Sequence, residues 1–265
     1  MYKSSNKMLK YFHGIRAFVA IKMVQILCLL PLPGFSDQEF TLLSFEGSID
    51  SSSYEQQRKE ISFVKTVPIH VHCSYPVFSG EGILVKYANK QLKTEAENRF
   101  DCFVKEEILS EEVYDEECEL SHVFFPVYQA NDLISSCGVR SQVRWSHGCT
   151  YYEGKTFWQK GDSVVELVLD DLFVKGREHR NFLLQYCENY FKSSGYGYYS
   201  SLPEFPPELD QSDLDIFVIT DKGLMIVFRA YRVGGWADGP DTVLIPYAKL
   251  KEYVDFDGPL KPLLN

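Results

Sequence analysis

Between residues 83 and 108 the apolar positions fall every fourth place: Leu84, Ala88, Leu92, Ala96, Phe100 and Val104, with Tyr87, Phe103 and Ile108 beside them. That spacing stripes one face of an α-helix and does not suit a strand, whose faces alternate every second residue. Around it the period is two. TLLSF, ISFV and IHVHC alternate with polar breaks over 41–75, and SHVFFPVYQ follows at 121. In VRSQVRW the residues Val139, Val143 and Trp145 alternate with Arg140, Gln142 and Arg144, the pattern of a strand with one wet face. A long amphipathic helix set among strands points to an α+β fold: an antiparallel β-sheet with two main helices, 83–108 and 178–191, packed on it.

The second helix is expected from FLLQYCENYF (182–191), after SVVELVL (163–169) has left the sheet as a buried strand through DDLF. Residues 192–213, KSSGYGYYSSLPEFPPELDQSD, mix Gly, Ser, Pro and Tyr too closely for a regular element and read as the longest loop. DIFVIT, DKG and LMIVFRAYRV then form a hairpin pairing 215–220 with 224–231, Gly223 supplying the positive φ of its turn. In its second strand Leu224, Ile226, Phe228 and Ala230 line one face, and Met225, Val227, Arg229 and Tyr231 the other. The chain returns as TVLI, and Pro246 starts a short helix.

With 265 residues, 45% of them hydrophobic, the chain is long enough to bury a sizeable core. Its first 36 residues carry Lys3, Lys7, Lys10, Arg16 and Lys22, no acid, an apolar run MVQILCLL, and Gly34 and Ser36 where a secretory cleavage site wants small residues. Residues 1–36 therefore read as a signal peptide; an uncleaved anchor starting near Ile15 is the alternative, and it is the sole route to a membrane. Cleavage leaves 22 basic against 37 acidic residues, a charge of −15. Nucleic acid and anionic membrane are poor partners for such a chain, and a basic protein is attracted to it. Cys73, Cys102, Cys118, Cys137, Cys149 and Cys187 then permit disulfides, but six cysteines allow 15 pairings and none is selected.

No catalytic signature stands out. There is no GxSxG elbow, and GYG at 195–197 lacks the continuation of a phosphate loop. His70 and His72 share a strand face, yet a metal site needs further ligands. His147 with Cys149 has the same shortage. The acidic run 106–119 lacks the spacing of a calcium loop and reads as a solvated face. Asp210, Asp213 and Asp215 read as caps that keep a hairpin soluble. No enzyme, metal or cofactor is expected.

The run DLDIFVITDKGLMIVFRAYRVGGWADGPDTVLIPYAKLKEYV (213–254) resembles the end of the extracytoplasmic domain of RsiV-type anti-sigma factors, which sense lysozyme, and of PdaC-type peptidoglycan deacetylases, where it precedes the catalytic part. The matching positions are Tyr231, Ala237 with Gly239, and Ile245, Pro246 and Tyr247 with Leu250. YYEGKTFWQKGDSVVELVLDDLF (151–173) resembles that family's strand pair and exit, and YPVFSG (75–80) its earlier half. The family's Gly-Gly-Ala-His turn is replaced by Ser146-His147-Gly148-Cys149. The resemblance implies a C-terminal RsiV/PdaC-like half over 141–265 after an N-terminal half over 37–140. With about 15 residues ahead of the apolar run and an end at Asn265, the sensing module by itself is expected.

The function that follows is an exported, non-catalytic binding module for lysozyme or a cell-wall component. Its contacts are expected at exposed loop aromatics: Tyr196, Tyr198 and Tyr199 first, Trp236 and Asp238 second. Tyr231 and Tyr247 are expected in the core. The alternatives are a structural envelope protein docked on a larger assembly and, last, a wall-glycan enzyme with paired carboxylates.

Overall fold

In the computed structural model, which describes residues 54–64, 68–105, 118–144, 147–201, 207–235 and 241–264, the four-residue stripe becomes helix α1 (Ile83–Phe103). Leu84, Ala88, Leu92, Ala96, Phe100 and Phe103 are its buried residues. Gly82 precedes it without a side-chain cap, and the helix is instead held to its strand by Asn89, whose amide donates to Phe78 O and accepts from Phe78 N–H. Residues 1–36, expected as a signal peptide, and the acidic stretch 106–117 lie outside the described residues.

The fold is α+β, with strands divided between two sheets. The larger has the order β1 (Tyr54–Val64), β2 (Pro68–Phe78), β3 (Cys118–Gln129), β4 (Leu133–Arg144), β5 (His147–Lys160) and β6 (Ser163–Glu166). Its pairs are antiparallel except β2 with β3, which run parallel. The sheet is mostly antiparallel, as expected, and the parallel pair has a topological reason: α1 is the crossover between β2 and β3, and a helix carried across a sheet returns the chain in the same direction. Ile69, Val71 and Cys73 of β2 and Cys118 and Leu120 of β3 pack under Ala96, Phe100 and Phe103. Farther along α1, Leu84, Ala88 and Leu92 meet Phe124, Ile134 and Phe157.

β6 is a short edge strand with Val165 in solvent, not the buried strand expected of SVVELVL. The apolar residues of that stretch are buried only after it leaves the sheet, where Leu169, Leu172 and Phe173 enter the second core. Asp170, in the turn Leu169–Leu172, accepts from Arg180 Nε and Nη2 and lies 2.7 Å from His179 Nε2. These contacts seat the first turn of α2 (His179–Ser194).

The smaller sheet has the order β7 (Phe217–Ile219), β8 (Gly223–Phe228) and β9 (Asp241–Pro246), all antiparallel. All six residues of β8 are buried, so both faces expected for this strand are covered. Phe228 meets Phe191 of α2 edge-to-face at 5.1 Å, and α2 thus belongs to the second core, not to the sheet that carries α1. Gly223 lies inside β8 without positive φ; its need is space, because a Cβ there would stand 2.4 Å from Ile245 O. The turn is held by Thr220, whose Oγ1 accepts from Lys222 N–H and Gly223 N–H. Tyr247 begins the short helix α4 (Tyr247–Leu250) behind Pro246, and its hydroxyl donates to Thr220 O. The helix α3 (Tyr198–Ser201) precedes this sheet.

The sheets meet at the open edge of β7. Gly154 of β5 lies so close that a Cβ would fall 1.9 Å from Phe217 O, and Ser135 Oγ of β4 accepts from Ile219 N–H while bonded to Thr156 Oγ1. An edge strand with unpaired backbone groups is a liability, and here the face of the other sheet covers it. The described residues all fall within one compact unit.

Candidate functional site

The candidate contact face is assembled from three segments: the C-terminus of α2 with α3, the turn Gln211–Leu214, and the bend 229–234 after β8. α2 stops because Gly195 takes the left-handed conformation (φ 62°), its N–H bonding back to Phe191 O. Gly197 follows at φ 54°, and a Cβ on it would sit 2.3 Å from Val233 O. Tyr198 N–H donates to that same carbonyl at 2.9 Å, which ties α3 to the bend.

The three aspartates expected to cap a hairpin divide their work. Asp210 caps the turn Gln211–Leu214 by accepting from Ser212 N–H and Oγ, and Asp213 accepts from Asp210 N–H. The Ser212 hydroxyl and N–H together hold the Asp210 carboxyl below its ordinary value. Asp213, with 6% of its side chain exposed, takes a two-pronged bond from Arg232 Nε and Nη2. Arg232 Nη2 also donates to Glu208 O, so one guanidinium clasps 208–213 to the bend. Asp215 is exposed. Among the described residues no group of three or more His, Cys, Asp or Glu could hold a metal ion.

Tyr231 sits at the tip. It is 52% exposed and has φ 66°, a left-handed backbone that a bulky L-residue adopts only under strain. The expectation of a core position is therefore corrected: β8 ends at Phe228, and the chain has already turned, with Arg232 N–H donating to Arg229 O. The expectation for Tyr247 agrees with its burial.

The loop tyrosines separate by role. Tyr199 is buried, stacked on Phe191 at 5.6 Å, with its hydroxyl donating to Pro207 O; burial pushes the phenol up to about 12. It serves packing and is not an exposed contact. Tyr196 and Tyr198 are half-buried, and the Tyr198–Val233 bond ties their segment to the bend that carries Tyr231. Trp236 and Asp238 lie outside the described residues, immediately after the bend in sequence. Sequence reasoning missed Tyr231 and Arg232. Both follow an unbroken alternation that carries the strand pattern past its true end, and the signal against it was the Gly234-Gly235 pair only three residues on.

Of the cysteines, Cys73, Cys137 and Cys187 are free, buried thiols; burial pushes Cys73 and Cys137 up to about 12 and raises Cys187 as well. Such thiols behave as small hydrophobes and resist oxidation. The side chain of Cys149 lies outside the described residues.

Residues 170–248 match the model of a family described as a protein of unknown function, DUF3298. This segment is a DUF3298 domain. It starts at Asp170 and ends within α4, so the whole contact face falls inside the domain. Two solved structures share the fold. A DUF3298 family protein from Pseudomonas aeruginosa PAO1 has a TM-score of 0.55 at 14% identity, covering 76% of this chain and 94% of its own. A member of the same family from Bacteroides fragilis NCTC 9343 has a TM-score of 0.52 at 13% identity, covering 80% and 98%. In both, the likeness extends beyond the DUF3298 segment to three quarters or more of this chain. No curated protein matches the chain.

Proposed function

We propose that the chain is an exported, non-catalytic binding module whose DUF3298 domain recognises a partner protein or a cell-wall component through the face made by Tyr196, Tyr198 and Tyr231. The observation that carries this reading is Tyr231, a large aromatic presented to solvent on a strained backbone that a clasped ion pair holds in place. Strain of this kind persists where the surroundings enforce it, and such positions cluster at ligand clamps. Tyrosine supplies wide contact area at little rotamer entropy.

The resemblance to lysozyme-sensing domains makes lysozyme the first partner to test. Charge supports a basic partner: Glu208 and Asp210 are exposed in the segment that Arg232 clasps to the bend, and the chain without its first 36 residues carries −15. The N-terminal basic and apolar segment supports an extracytoplasmic location, with an uncleaved anchor as the second form.

The test is interferometry of the full chain against a lysozyme at two salt concentrations, with Tyr231→Ser and Tyr198→Ser alongside. Saturable binding weakened about 30-fold by Tyr231→Ser is expected, the effect of losing a central aromatic anchor. Binding that fades with salt but ignores both variants reduces the attraction to net charge and rejects the face.

A further inference from the structure

Separately from that face, α1 and the larger sheet line a half-open polar cavity. Arg99 of α1, His122 of β3, Arg140 of β4 and Tyr151, Tyr152 and Glu153 of β5 line about 140 Å³. The register puts these residues together: His122 stands opposite Arg140, Arg140 opposite Tyr151, and Gly138 opposite Glu153. On the same face of β3, Cys118 and Leu120 lie to one side of His122 and Phe124 to the other, so the charged groups interrupt the apolar core under α1.

The cavity is furnished for something that accepts hydrogen bonds. His122 is 1% exposed and its Nδ1 has no partner; Arg99 Nε is buried and equally without one. The Arg99 Nε–H is a donor that wants an acceptor; buried polar atoms left unsatisfied are expensive, and native structures supply a partner from protein, water or ligand. Arg140 lies with its guanidinium 4.3 Å from the Tyr151 ring centroid, and no carboxylate among the described residues pairs with it. Arg99 reaches Glu95 only at 3.9 Å.

Glu153, the lone acid of the lining, is already engaged. Its Oε1 lies 2.6 Å from His122 Nε2, a short contact with poor hydrogen-bond alignment. Gly138 makes this placement possible, since a Cβ there would stand 2.6 Å from Glu153 Cγ and 2.7 Å from Phe124 Cε1. Within the lining two guanidiniums face one carboxylate, with Glu95 the nearest further acid at 3.9 Å from Arg99, in a chain of net charge −10. The volume is far above the ~10–15 Å³ that one water needs and below the ~300 Å³ of a pocket that encloses a whole drug-sized ligand.

We propose that this cavity binds a small oxyanion, a single carboxylate or phosphate group, held by Arg99 and Arg140 with Tyr151 fixing the Arg140 plane at the mouth. The guanidinium fork matches either group. A carboxylate comes from an organic acid or a peptide end, a phosphate from the free ion or its esters.

The experiment titrates the full chain at pH 7 and constant ionic strength with sodium acetate and, separately, inorganic phosphate. Sodium chloride is the control, and the Arg Nε–H and His ring resonances are followed by NMR. Saturable shifts at Arg99 and His122 that chloride does not produce are expected. Acetate alone acting assigns a carboxylate, phosphate alone a phosphate, and both the shared oxyanion chemistry. Arg140→Gln, a change at a half-buried position, should weaken the response at least ~10-fold. Glu153→Gln should tighten it by removing the competing negative charge. Shifts that never saturate, a response unchanged in Arg140→Gln, or a response abolished by Glu153→Gln would overturn the proposal. If the cavity site and the tyrosine face are separate, Arg140→Gln leaves lysozyme binding intact and Tyr231→Ser leaves acetate binding intact.

Discussion

At Tyr231 a side chain and its backbone pull in opposite directions, and the conflict is measurable. Glycine accepts φ 66° freely, so Tyr231→Gly is expected to leave stability unchanged or raise it by up to about 1 kcal/mol, read by urea unfolding. Partner binding in the same variant is expected to fall as in Tyr231→Ser. A loss of stability instead would mean that the ring packs, and would return Tyr231 to the core. Gly154 represents the opposite case. Its backbone is not in the positive-φ region, yet Gly154→Ala places a methyl group 1.9 Å from a carbonyl oxygen with no flexible atom to yield. A loss of about 3 kcal/mol or more is expected in the same measurement. Asp213→Ala removes the carboxylate that Arg232 grips with two bonds, leaving Asp210 at 3.7 Å, and loosens the 208–213 clasp; a guanidinium still 26% exposed limits the cost to about 2 kcal/mol.

Among the elements, β7 is the least self-sufficient. It is three residues long, pairs on one side with β8, and rests its other side on Ser135 and Gly154 of the larger sheet. Ser135→Ala strands the Ile219 N–H in a buried edge, and a cost of about 1–3 kcal/mol is expected. Hydrogen exchange adds a test of mechanism: Ile219 should lose protection in Ser135→Ala more than Val218, whose residue pairs with Met225 inside the sheet. Helix α1 was legible from its period, because every fourth residue had to be apolar for one face to be buried. The strand runs were legible too. What the alternation in VRSQVRW could not tell was which face would be covered: the arginine face, read as wet, shares its side of the sheet with His122 and Glu153 and lines the cavity under α1. Alternation assigns residues to a common face, but only the placement of a second layer makes that face inside or outside.

For the whole molecule, stability is bounded at both ends of the pH scale. Burial alone would raise the Glu153 carboxyl, but the His122 contact and the charges of Lys155 and Arg99 outweigh it and hold it below its ordinary value. The Arg180 bonds, against a smaller opposing effect of burial, hold Asp170 down as well. A carboxyl lowered in the folded state stabilises above its unfolded value and ceases to do so as pH falls through the folded one. Denaturation midpoints should therefore drop below about pH 4. At the other end, burial raises the Tyr247 and Tyr199 phenols, the latter to about 12. The unfolded chain releases these protons first, so stability is expected to decline from about pH 10 upward. Flat midpoints between pH 10 and 12 would show both hydroxyls exposed.

The sequence by itself determined that the chain is α+β, where its long helices run, and that its net charge is negative, because periodicity and charge are properties of the chain read in order. It also made the DDLF exit and the IPY start of α4 visible, since short-range sterics and capping act within a few residues. Tertiary structure decided the rest: the parallel β2–β3 pair forced by the α1 crossover, the division into two sheets at Gly154, and the exposure of Tyr231 against the burial of Tyr199. It also brought Arg99, His122, Arg140 and Glu153 around one cavity. Those outcomes depend on which surfaces meet across distant stretches of chain, and contact between distant residues is fixed by packing, on which local pattern is silent.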